Sequence, residues 1–169
     1  MTTISATTTD APAATDARPA FADISLIAAI YEAFGRGDVE AILARLRPDV
    51  SWDADWQDNF VQHEPIAYLL PRRGPAEVAE FFAAVGAATV HEFAVLDLMA
   101  SERQVVAQVR IDLELPNGGR LRDEELHLWT IAPDGRVSAL RHYIDTAKHL
   151  AAARGEDTTR PAASTVTNG

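Results

Sequence analysis

The second half of the chain constrains the fold most. Four apolar-rich segments, residues 90–99, 105–115, 121–131 and 137–145, are separated by short connections. Two of these connections carry strong turn signals, Pro116-Asn117-Gly118-Gly119 and Pro133-Asp134-Gly135, in which glycine supplies a positive φ and proline presets its own. Connections of this length join antiparallel neighbours, because a parallel crossover needs about a dozen residues or more. The segments therefore predict an antiparallel meander of four strands.

The first half predicts helices. Ile24, Ile27, Ala28, Tyr31 and Phe34 recur at helical spacing behind Asp23, a good N-cap, and Gly35 and Gly37 close the run. Asp38 caps a second, short helix with Val39, Ile42, Leu43 and Leu46 on its apolar face, stopped by Pro48. Val50-Ser51-Trp52 begins a strand. Residues 53–71 have no clean period and are expected to form a long excursion over a cavity mouth. Gly74-Pro75 opens a third helix with Val78, Phe81, Phe82 and Val85 as its buried stripe, and residues 146–153 form a closing helix. Helices followed by hairpins mean an α+β fold, with helices packed on one face of a curved sheet.

With 169 residues, 47% of them hydrophobic, the chain suits one domain with a sizeable core. Residues 21–153 are expected to be the folded unit, with residues 1–20 and 154–169 as disordered tails rich in Thr, Ala and Pro. A net charge of −10 argues against a nucleic-acid partner, which needs a basic face. No apolar run approaches the roughly 20 residues of a membrane span. The N-terminus has neither a basic n-region nor an apolar h-region, so no secretory signal is read there. There is no cysteine, hence no disulfide or thiolate site, and a cytoplasmic location is the expectation. No glycine-rich phosphate loop and no tight histidine motif occurs, so neither cofactor nor metal is indicated.

The candidate chemistry lies in three charged residues. Arg110 and Asp112 share a face of the 105–115 strand, and Asp145 ends the last strand. Two carboxylates held by one guanidinium raise one pKa and leave an acid and a base for catalysis. A second reading stands beside this one. Val105, Ala107, Val109, Ile111, Leu113 and Leu115 alternate with polar neighbours, the pattern of a half-buried strand whose Arg110 and Asp112 face solvent. Asp145 can equally be the N-cap of the helix after it. His127 shares a strand face with Asp123, Glu125 and Trp129, where it can point inward as a hydrogen-bonded structural histidine. Trp52, Trp56, Phe60, His127 and Tyr143 are the candidate substrate-contacting residues.

The segments Ile30 to Asp38, His127 to Val137 and Arg141 to Ala147, in this order, resemble the SnoaL-like branch of the NTF2-like superfamily. The resemblance implies a cone of helices on a strongly bent, mostly antiparallel sheet around an apolar pocket, and a homodimer. The superfamily includes ketosteroid isomerases, polyketide cyclases and limonene-epoxide hydrolases. Arg110-Ile111-Asp112 and Tyr143-Ile144-Asp145 look like the Arg-x-Asp and terminal-Asp elements of the epoxide hydrolases. That likeness implies Asp145 as base, Asp112 as acid and Arg110 between them. The cyclase and isomerase branches imply Asp145 alone. Where the hydrolases hold their water, this chain carries Trp52-Asp53-Ala54-Asp55-Trp56. The expected function is thus cofactor-free acid–base chemistry on a small hydrophobic molecule, or a non-catalytic ligand-binding or dimerisation module.

Overall fold

The computed structural model describes residues 21–159 apart from Gln57 and Pro65; the 1–20 tail and most of the C-terminal one lie outside the described residues. Asp23 caps α1 (Ile24–Gly35) by accepting from Ser25 N, and Asp38 caps α2 (Val39–Leu43) by accepting from Ala41 N. β1 (Leu46–Trp52) follows at once, so Leu46 belongs to a strand and Pro48 sits inside it. Pro48 is tolerated because the pairing of β1 is irregular between Leu46 and Ser51. After the residue 53–71 excursion come β2 (Arg72–Arg73) and α3 (Gly74–Gly86), with proline in the first turn. The meander then runs β3 (Thr89–Ala100), β4 (Gln104–Glu114), β5 (Arg120–Ile131) and β6 (Val137–Tyr143), and α4 (Thr146–Ala153) closes it.

The six strands form one open sheet in the order β2-β1-β6-β5-β4-β3, antiparallel except for the β1–β6 pair. Register shifts in β3 and between β5 and β6 add residues to one strand of a pair and bend it. The odd residues of β4 and β5, from Val105 to Leu113 and from Leu121 to Ile131, face the core with Ile27, Ile30, Val50, Trp52 and Val78. The sheet is covered on this inner face and its even-numbered β4 and β5 residues look outward.

The 53–71 excursion is less of a free loop than its lack of period implies. It contains two 3₁₀ turns, Phe60–His63 and Ala67–Leu69. Ile66, Tyr68 and Leu69 are buried against α3 and α4 in a second apolar cluster. A 3₁₀ turn is too short to show a period. The buried Arg72 guanidinium ties the segment down by donating to the carbonyls of Leu70 and Ala67 at 2.8 and 2.5 Å.

The fold also continues past Ala153. Arg120 N donates to Glu156 O at 3.0 Å and Thr158 N to Arg120 O at 2.8 Å, so the first residues of the expected tail pair with the start of β5. This pairing and the β4–β5 turn clamp α4. Asn117 Nδ2 donates to Ala153 O at 2.8 Å. Gly119 lies so close that a Cβ there would stand 1.9 Å from Ala152 O. Gly119→Ala should therefore lose about 1–3 kcal/mol of stability by overpacking, measured by urea unfolding; an unchanged midpoint would show that α4 is not held against the turn.

Candidate active site

Alternation along β5 sends Asp123, Glu125, His127 and Trp129 inward, all buried. Buried charges must be paired and hydrogen-bonded, and each neighbouring element supplies a partner. From α1, Tyr31 Oη meets His127 Nδ1 at 2.8 Å and accepts from Trp129 Nε1 at 2.9 Å. His127 Nε2 lies 3.0 Å from Glu125 Oε2. An ionised Glu125 can only accept, so His127 carries its proton on Nε2 and accepts a hydrogen bond from the Tyr31 hydroxyl on Nδ1. From α4, His149 Nε2 lies 3.0 Å from Glu125 Oε1 and 3.4 Å from Asp123 Oδ2, while its Nδ1 meets Tyr68 Oη at 3.0 Å. Lys148 Nζ reaches Asp123 Oδ1 at 2.9 Å.

The second buried pair joins β1 to β6. Asp53 leaves β1 with φ of 54°, an uncommon but tolerated value for aspartate. Its Oδ1 accepts from the backbone N of His142 at 2.9 Å and its Oδ2 from the His142 ring Nδ1 at 2.7 Å. The carboxylate thus continues the β1–β6 ladder where the backbone turns away. The His142 ring is stacked on Phe81 (centroids 5.5 Å apart, 25° between planes) and edge-on to His127 at 4.5 Å. Its Nε2 forms no hydrogen bond among the described residues.

These surroundings separate the histidines. Burial works against the His142 cation, but the charge and hydrogen bond of Asp53 outweigh it and raise the pKa above the ordinary value. Burial, with the His142 charge beside it, lowers that of His127. His149 is raised to about 9, because contact with Asp123 and Glu125 overcomes burial. Glu125 stays ionised against burial through His127 and His149. Adjacent groups whose pKa values diverge can play different acid–base roles.

Two small adjoining cavities lie against this array, of about 50 and 60 Å³. Phe34, Phe81, Phe93, His127 and His142 line both; Trp52 and Trp129 wall the first, Tyr68 and Glu125 the second. The Trp52 Nε1–H is buried without a hydrogen-bond partner.

The structure does not bring Arg110, Asp112 and Asp145 together. Arg110 is on the outer face, half exposed, and reaches Glu92 at 3.8 Å and Glu124 at 3.5 Å. Asp112 is on that face too, but is buried under two arginines: Arg120 Nε donates to Oδ1 at 2.9 Å and Arg122 Nη2 to Oδ2 at 2.7 Å. The Arg120 hydrogen bond, with that of Arg122, holds its pKa below the ordinary range. Asp145 is exposed and caps α4, its Oδ1 accepting from Ala147 N and Lys148 N at 3.2 and 3.4 Å. Parity is the reason: β4 turns its odd, apolar side to the core, which leaves Arg110 half exposed, whereas Asp112 is covered by arginines and does not face solvent.

Of the expected substrate contacts, Trp52 and His127 line the cavities. Trp56 and Tyr143 pack with their rings tilted by 44° and centroids 4.6 Å apart in an open groove that also includes Asp145, and Phe60 is exposed in a 3₁₀ turn. Asp53, His142 and His149 lie outside the residues that the sequence pattern singles out. A strict period of two from Val137 puts Arg141 and Tyr143 on its face, but the irregular pairing between β5 and β6 resets it, so Leu140 and His142 point inward. The usable signal was Leu140, the only strongly apolar residue between Val137 and Ile144.

Helices covering one face of a bent, open, mostly antiparallel sheet define an NTF2-like α+β cone. The chain belongs to the SnoaL-like domain family, whose profile matches residues 27–140. An NTF2-like protein of unknown function from Burkholderia pseudomallei is 26% identical, with a TM-score of 0.63 over 75% of this chain and 93% of that one. TerC, co-crystallised with polyporic acid, is 23% identical with a TM-score of 0.59, covering 73% and 92%. SalBIII, an epoxide hydrolase/cyclase-like enzyme with a role in pyran ring formation in salinomycin, is 20% identical with a TM-score of 0.54, covering 73% and 91%. No curated protein matches the sequence. Among the described residues no helix is long and apolar enough to cross a membrane.

Two outcomes check this arrangement. Asp112→Asn should cost about 2 kcal/mol by weakening charge-assisted hydrogen bonds, whereas Arg110→Ala should change stability by less than about 0.5 kcal/mol; denaturant titration of both tells whether the two residues act as a unit. The His142–Asp53 pair adds stability that is complete below the ordinary histidine value of about 6.5 and is lost as pH rises through the raised folded value. Wild type should consequently lose more stability between pH 6 and pH 9 than Asp53→Asn does, with equal losses counting against the pair.

Proposed function

We propose that the protein is a cofactor-free acid–base enzyme acting at an oxygen atom of a small hydrophobic molecule. His142 is the proton-transferring group and Asp53 positions it. One observation carries the reading: among the described residues the His142 Nε2 has no hydrogen-bond partner and no ion pair, and its ring lines both cavities, while its Nδ1 is held by Asp53. The ring is held from behind through Nδ1, as an acid–base histidine must be to keep its tautomer and aim.

Asp53 favours the imidazolium, which suits the group to act as an acid. Its Nε2–H can donate to a carbonyl, ether or epoxide oxygen as negative charge develops there. The unpaired Trp52 Nε1–H is a second donor in the same apolar wall. Away from water such donors act more strongly than in solution. In an isomerisation or ring closure the balance is internal: the imidazolium gives a proton to one substrate atom, and the neutral ring takes one back from another. The cavities are small beside the ~300 Å³ or more of common ligand sites, so a ring-sized ligand must part Phe81 and Phe93, which wall both.

The separation of Arg110 from Asp112 and Asp145 favours this isomerase- or cyclase-like reading over epoxide hydration by those three residues. The likeness to SalBIII and to TerC supports small-molecule chemistry in the cone. A panel of unconjugated enones and hydroxy-epoxides is the test. His142→Gln should lower kcat/KM by about a hundredfold to ten-thousandfold and Arg110→Ala should leave it unchanged. Turnover that survives His142→Gln would sink the assignment. Tight binding of panel compounds without turnover would favour a ligand-binding module instead.

A further inference from the structure

Asp123, Glu125 and His149 form a second buried cluster, which the proposed reaction does not use. Each offers one donor atom within 4.8 Å of the others, and all three side chains are more than nine-tenths buried. Glu125 Oε1 and His149 Nε2 stand 3.0 Å apart, yet neither makes a hydrogen bond. They are in ionic contact, but the ring N–H is not aligned with the oxygen. Two buried polar atoms are thus aimed at one point without a bonded partner, where native interiors almost always supply one.

We propose that this cluster is a binding site for a divalent transition metal of the zinc class, with Asp123 Oδ2, Glu125 Oε1 and His149 Nε2 as ligands. Metal–ligand bonds of about 2.0–2.2 Å put donors roughly 3.0–3.5 Å apart for angles between a right angle and a tetrahedral one. The observed separations from His149 Nε2, 3.0 Å to Glu125 and 3.4 Å to Asp123, lie in that range. One nitrogen and two carboxylate oxygens suit zinc and its neighbours, while calcium takes six to eight oxygens.

The outer shell is already in place. His149 Nδ1 is held by Tyr68 Oη at 3.0 Å, Glu125 Oε2 by His127 at 3.0 Å and Asp123 Oδ1 by Lys148 at 2.9 Å. Such contacts orient ligands and fix the histidine tautomer. Two carboxylates and a neutral imidazole balance a divalent ion, and the proton on His149 leaves to water as the metal binds. Glu125 and Tyr68 also wall the second cavity, which gives a fourth ligand a place to stand.

Calorimetric titration of the chelator-treated full chain with zinc chloride tests this, with cobalt(II) as a spectroscopic probe. The site predicts one zinc per chain and the intense visible bands of four- or five-coordinate cobalt. His149→Gln and Glu125→Gln should each weaken binding at least about 100-fold, and Tyr68→Phe, which leaves the ligands in place, about 10- to 100-fold. His91→Gln, an exposed histidine outside the cluster, should bind like wild type. The proposal is overturned if wild type takes up no stoichiometric zinc. It is equally overturned if binding persists in folded Glu125→Gln, or if the cobalt spectrum is the pale one of an octahedral surface ion. These readouts need no turnover, so they stand apart from the fate of the His142 assignment.

Discussion

Asp123, Glu125 and His127 enter the core from β5, a strand whose other inward residues, Leu121, Trp129 and Ile131, are apolar. An unpaired carboxylate in such surroundings would cost several kcal/mol, so the rest of the molecule has to deliver partners. α4 brings His149 and Lys148, α1 brings Tyr31, and the 3₁₀ turn at Ala67–Leu69 brings Tyr68, which holds His149. The Gly119 approach to Ala152 and the pairing of Arg120 with residues 156–158 then matter for more than packing. They fix the one helix that neutralises the interior.

The two faces of the sheet solve the charge problem differently. Outside, Asp112 is neutralised by a bidentate Arg120 and by Arg122 on one oxygen, and Arg110 lies among Glu92 and Glu124 in partial solvent. Those pairs stabilise but present nothing to a buried ligand. Inside, the Asp53–His142 pair is aromatic-walled and leaves one ring nitrogen unspent. An ion pair with every valence satisfied reads as structural; one with a free donor beside a cavity is a candidate for chemistry.

Within the SnoaL-like family fold, then, the position of polar residues on the inner face matters more than the fold itself, which hosts many activities. This chain puts histidines at the cavity wall and moves its Arg-x-Asp motif to the outside. The motif is present in the sequence, yet strand parity puts it on the outer face, where Arg110 and Asp112 join separate ion pairs.

The sequence alone determined the element order: caps at Asp23 and Asp38, proline at the head of α3, and turns at Pro116–Gly119 and Pro133–Gly135 all act within a few residues, where local sterics and hydrogen bonding decide. It also held the inward face of β5, because strict alternation is a local property of a strand. Tertiary structure decided the rest. The reset of parity before Leu140 depends on how β6 pairs with β5, and the meeting of Asp53 with His142 joins residues 89 positions apart. The buried turn at Ile66–Leu69 and the docking of α4 depend on which surfaces are left to cover once the sheet has bent. Those outcomes follow from long-range pairing and the cost of leaving charge unpaired, and no short-range pattern in the chain encodes them.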